Sequence, residues 1–90
     1  MAVYQILYWR DIPAQVRVFG GKRPVSRPMP DRFQTEIDNI AMVEGLADND
    51  AYLEQWNWTE KRERPGEPDA LLEELIRELE QEFDARTGNG

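Results

Sequence analysis

Two short runs rich in β-branched and aromatic residues stand close together near the start of the chain. They are Val3 to Arg10 and Ala14 to Phe19, with only Asp11, Ile12 and Pro13 between them. Such residues fit a pleated, half-buried surface, and so short a connection predicts an antiparallel hairpin. In the first run both parities are apolar, Val3, Leu7 and Trp9 alternating with Tyr4, Ile6 and Tyr8. That predicts a central strand covered on both sides, or one whose second face meets a loop. In the second run Val16 and Val18 point one way, and Gln15, Arg17 and Phe19 the other. Pro13 lacks an N–H and fixes its own φ, so it belongs at a strand start or in the connection. For the same reason an Asx turn from Asp11 cannot close on residue 13. The Asp11 carboxylate therefore needs another partner, such as the N–H of Ala14 or a nearby arginine.

The hairpin is followed by Gly20-Gly21 and the basic run "KRPVSRPMP", Lys22 to Pro30, whose prolines predict an extended, polyproline-like loop. A helix begins at Asp31, an expected N-cap with Gln34 at capping-box spacing. Its stripe is Phe33, Ile37, Ile40, Ala41 and Glu44, and Gly45 is a natural stop with Leu46 closing over the end. A short helix follows, capped by Asp48 or Asn49, with Tyr52, Leu53 and Trp56 on its inner face. "WNWTEKRER", Trp56 to Arg64, alternates as a third strand and stops at Pro65-Gly66. A last helix spans Pro68 to Arg86, with Pro68 and Asp69 favourable at its start and a stripe of Leu72, Leu75, Ile76, Leu79 and Phe83. The expected fold class is α+β: an N-terminal antiparallel β-hairpin plus a third strand, with two to three helices packed on one face, in the order β-β-α-α-β-α. The 90 residues make one small domain. Residues 3–62 hold the hairpin, helices and third strand, 68–86 form an acidic amphipathic helix, and 87–90 form a flexible tail.

Composition excludes several chemistries. The chain has neither cysteine nor histidine. Disulfides, thiolate ligands and Ser-His-Asp or Cys-His triads are absent, and a structural zinc site loses its usual ligands. Carboxylate, lysine, tyrosine or hydroxyl chemistry remains, in a chain with little material for a deep pocket. The expectation is a protein without enzymatic activity, cofactor or metal. No apolar run approaches the roughly 18 residues of a membrane span, and nothing resembles a secretory signal. The expectation is a soluble, cytoplasmic protein that does not engage membranes.

The net charge of −7 is unevenly placed. Residues 1–32 carry six basic and two acidic groups, for +4, and the remainder carries five basic and sixteen acidic groups, for −11. This means either a polarised surface or internal compensation, with the acidic last helix near the basic hairpin. That helix carries carboxylates at i, i+4: Glu74 with Glu78, Glu78 with Glu82, Glu80 with Asp84. They read as a solvated face, with a divalent metal or a basic partner as the functional alternatives. Of the three tryptophans, two are expected in the core and the third in an exposed patch. Basic residues beside Trp9 and Phe19 suit nucleic acid, but the acidic balance opposes a polyanion.

The run "YWRDIPAQV" and the later "RFQTEIDNIAMVEGLADNDAYLEQW" resemble a small bacterial family, the virulence factor domain, over roughly residues 4–58. The family is also found as a module in conserved virulence factor C, beside an Nfu/NifU-N-type domain and HEAT-like repeats. Stand-alone members are encoded near one-carbon or corrinoid methyl-transfer enzymes. The resemblance carries no catalytic residue and no mechanism. It does draw attention to Trp9, Arg10 and Asp11 in the matching block. Arg10 and Asp11 act either as a structural clamp, tying the hairpin to Asp31 or Asp38, or as a contact site. The candidate partner or ligand contacts are Trp9, Arg10, Asp11, Lys22, Arg23 and Arg27. The expected function is an interaction or accessory module that binds a protein partner or self-associates. An anion-binding or enzyme-accessory protein using Arg10 and Asp11 is the alternative, and nucleic-acid binding the third.

Overall fold

The computed structural model describes residues 2–46 and 50–86. Strands β1 (Ala2–Trp9) and β2 (Ile12–Phe19) pair antiparallel from Val3↔Phe19 to Trp9↔Ile12, as the two apolar runs predict. The register shifts between Leu7 and Tyr8, which face Gln15 and Pro13, so Ala14 is an extra residue on β2. A bulge is one of the few places inside a sheet where proline is tolerated. The alternation of burial slips at the same point. Tyr4 and Ile6 are buried, and then Trp9 is.

The proline-rich run is not a free loop. Val25–Pro28 forms β3, an edge strand paired from Val25↔Val18 to Pro28↔Gln15. Extended proline geometry is close to that of a β-strand, and an edge position needs no N–H from Pro28 on its outer side. The N–H of Met29 donates to the Ala14 carbonyl at 2.9 Å, carrying the pairing onto the bulge. The expected third strand is also divided, into β4 (Trp56–Trp58) and β5 (Arg62–Arg64). Both pair antiparallel with the outer edge of β1, at Leu7 to Trp9 and at Ala2 to Tyr4. Three residues bridge the gap where β1 has only two, so a continuous ladder is impossible. Thr59 spans the break: its N–H donates to the Ile6 carbonyl at 2.9 Å, and its hydroxyl accepts from the Ile6 N–H at 3.0 Å. The five-stranded sheet thus runs β3-β2-β1-β4, with β5 in line with β4. The chain order is β-β-β-α-α-β-β-α, two strands more than the sequence order anticipates, within the expected α+β class.

Helices α1 (Asp31–Val43), α2 (Asp50–Glu54) and α3 (Pro68–Arg86) complete the fold. Tyr4, Ile6, Val16 and Val18 form a core with Leu71, Leu72, Leu75, Leu79 and Phe83 of α3, and with Phe33, Ile37 and Ala41 of α1. The Phe33 and Phe83 rings join the two helices at 4.6 Å. Pro30, not Asp31, occupies the N-cap of α1, and no side chain caps it. Asp31 instead lies in the first turn, where its charge still favours the helix dipole. Gln34 reaches forward to Asp38 at 2.9 Å and makes no capping box. Leu53 is exposed, against its expected inner placement, whereas Tyr52 and Trp56 pack on the core. The proposed caps Asp48 and Asn49 and the tail 87–90 lie outside the described residues.

The end of α1 agrees with its sequence signal. Gly45 has φ +71°, its N–H donates to the Met42 carbonyl at 3.1 Å, and the Leu46 N–H donates to the Ala41 carbonyl at 2.7 Å. These are the paired bonds of a Schellman cap. A Cβ at position 45 would meet no neighbour, so the cost of Gly45→Ala is conformational alone. We expect that variant to lose about 1 kcal/mol in urea unfolding, with an unchanged far-UV spectrum.

Candidate functional site

The hairpin end is a two-residue turn, Arg10 and Asp11, between the paired residues Trp9 and Ile12. Arg10 has φ +56°, a left-handed conformation usually left to glycine in such turns. Its side chain accounts for an arginine there. The guanidinium donates two bonds to the Glu44 carboxylate, both at 2.6 Å, and Nε donates to Gln55 Oε1 at 3.4 Å. The Arg10 N–H donates to the Gln55 carbonyl at 3.0 Å. The turn is therefore held to the C-cap of α1 and to the residue after α2.

Trp9 is fully buried, at 0% exposure, and its Nε1–H donates to the Tyr52 carbonyl at 3.0 Å. The Tyr52 ring packs against it at a tilt, 5.7 Å between centroids, and Trp56 meets Tyr52 edge-on at 6.0 Å. Burying an indole of roughly 200 Å² is worth on the order of 4–5 kcal/mol, whereas exposed ion pairs contribute little. Trp9 is thus the anchor of the hairpin end, and Arg10 orients it. Asp11 meets Arg86 in the last turn of α3, whose guanidinium donates to Asp11 Oδ2 and, at 3.1 Å, to the Asp11 carbonyl.

The clamp exists, but with other partners than the sequence suggested. Glu44 stands opposite Arg10 where Asp31 or Asp38 was expected, and Arg86 is the arginine that the Asp11 carboxylate was expected to need. Arg10 holds the Glu44 carboxyl below the usual carboxylate range by its hydrogen bonds, and Arg32 does the same to Asp84.

The six candidate contacts do not form one surface. Trp9 is interior, and Arg10 and Asp11 mark one end of the hairpin. Lys22 and Arg23 are exposed on the bend beyond the other end of β2, on the order of 25 Å away at about 3.3 Å per strand residue. Arg27 lies on β3 opposite Val16, 3.9 Å from Glu73. Of the tryptophans, Trp56 is half-buried, and Trp58 is 37% exposed beneath the Arg17 guanidinium, 4.2 Å from its ring centroid.

What the sequence reading missed lies beside the clamp. Val43 is 86% exposed, Met42 71% and Leu53 64%. Each is within two residues of a group that holds Arg10. Val43 also lines a shallow cavity of about 200 Å³, together with Glu36, Asn39, Ile40 and Glu44. A signal was present, because Met42 and Val43 fall off the apolar stripe of their helix. Among the described residues no group of three or more acidic, cysteine or histidine side chains is placed to hold a metal ion. No described helix is long and apolar enough to cross a membrane.

A family model described as "Virulence factor" matches residues 7–87. The chain belongs to that family, and the match runs well past residue 58, taking in β5 and all of α3. No curated protein and no solved structure matches the chain.

Two outcomes follow from the clamp. Arg10→Gly should melt above Arg10→Ala, since both lose the Glu44 bonds but only glycine relieves the left-handed turn. The second concerns acid. With the Glu44 and Asp84 pKa values lowered in the fold, the unfolded chain takes up protons first as pH falls. Their stabilisation is then complete above the ordinary carboxylate range and is lost as pH falls through the folded values. Melting temperature should decline below about pH 4.5, and Glu44→Gln should melt lower near neutrality with a shallower acid decline.

Proposed function

We propose that the chain is a non-catalytic docking module, which binds a protein partner through the surface next to its fastened hairpin end. The observation that carries this reading is the exposure of Met42, Val43 and Leu53 around the Arg10–Glu44 pair. Three large apolar side chains exposed within two residues of the groups that hold Arg10, on a small acidic domain, favour a partner surface over chance exposure. The clamp supports the same reading, because it presents these residues on a rigid support and lowers the ordering cost of binding. The alternative of Arg10 as an anion anchor is less well supported, since its guanidinium is already paired in two-pronged fashion with Glu44. A cytoplasmic setting is part of the proposal and agrees with a chain that has no cysteine to oxidise.

Photo-crosslinking from inside the producing cell tests it. A photoreactive residue at position 43 or 53 should yield one discrete heterologous adduct, and the same residue at Gln81, on the exposed side of α3, should not. Equal, diffuse labelling from all three positions would reject the docking surface.

A further inference from the structure

The exposed residues at the end of α1 are apolar, but their surroundings are acidic. Glu36 lines the cavity beside Val43, next to a Glu44 whose charge is met by Arg10, and Asp50 and Glu54 flank Leu53 on α2. The nearby cation, Arg10, is neutralised by Glu44 at 2.6 Å. No basic side chain stands in the last turn of α1, so the partial negative charge of the helix C-terminus adds to the field. The patch therefore combines apolar contact with negative potential. A second copy presenting the same patch would set carboxylate against carboxylate, which opposes a two-fold dimer. Nucleic acid and anionic lipid are repelled for the same reason.

We infer that this surface, on the docking reading above, receives a cationic amphipathic helix of another protein. An apolar side chain of that helix would seat in the cavity against Ile40 and Val43. Its lysines or arginines would face Glu36, Asp50 and Glu54. Apolar contact supplies most of the affinity, and the charges select the partner and orient it.

Three synthetic amphipathic peptides of equal length and identical leucine stripe test this, with polar positions filled by lysine, glutamine or glutamate. Binding is read by amide shift mapping on the isotopically labelled chain. The lysine peptide should perturb Arg10, Met42, Val43, Glu44 and Leu53, and bind at least about tenfold more tightly than the other two. Added salt should narrow that margin. Val43→Ser should weaken binding by about tenfold at an unchanged melting temperature. Glu36→Lys combined with Glu54→Lys should transfer the preference to the glutamate peptide.

The inference is overturned if the glutamine peptide binds at Val43 as tightly as the lysine peptide, an outcome that leaves the docking reading intact. It is also overturned if the lysine peptide maps to Glu73 and Glu74 on α3. Concentration-dependent shifts of Lys22, Arg23 and Val43 in the chain alone would make a second copy the occupant and overturn it too. Loss of the position-43 crosslink is the separate result that removes the docking reading.

Discussion

Both edges of β1 are hydrogen-bonded, and the placement of every other element depends on that double occupancy. β2 takes one edge, and β4 and β5 share the other. A strand used on both edges cannot shift its register on one side without breaking it on the other. The interruption at Thr59 is tolerated because a hydroxyl and a backbone N–H together meet both hydrogen-bonding groups of Ile6. Burial of Trp9 then fixes the tip of the hairpin, and the turn beyond it is tied to two helices.

Part of the charge asymmetry of the sequence resolves into internal pairing. Arg32 reaches Asp84 at 2.5 Å and Glu80 at 3.8 Å, and Arg64 reaches Glu78 at 2.8 Å and Glu74 at 3.8 Å. Two of the i, i+4 carboxylate pairs on α3 are therefore forks, each around one guanidinium from another element. Like charges that would weaken an isolated helix are compensated by residues distant in sequence. These pairs are exposed and add little stability. Their contribution is to orient α3 along the sheet.

The parts of the fold that depend on local patterning were legible. The hairpin, the start of α3 at Pro68 and the Gly45 stop follow from β-propensity, proline geometry and the left-handed preference of glycine. The parts that depend on tertiary pairing were not. β3 was hidden because Pro24, Pro28 and Pro30 signal an extended loop, and an edge strand has the same backbone without needing every N–H. The break at Thr59 required knowing which groups of β1 lay opposite. At the site, Arg10 and Asp11 could be singled out because polar neighbours in a tight turn need partners. Glu44 and Arg86 could not be named, since only the packing of α1 and α3 brings them to the turn. Met42 and Val43 were visible as misfits on their helix, but nothing in the sequence connected them to Arg10.

The two ends of α3 meet the two ends of β2. At one end, a Cβ on Gly20 would stand 3.0 Å from the Pro68 ring, and at the other Arg86 grips Asp11. The 19 residues of the helix measure about 28 Å at about 1.5 Å each, and the eight of the strand about 26 Å at about 3.3 Å each. Helix and strand thus act as matched rulers, and neither can change length alone. A change of length can be absorbed only in the connectors, and the distance from the Gly20 bend to the Asp11 turn becomes a fixed dimension of the molecule.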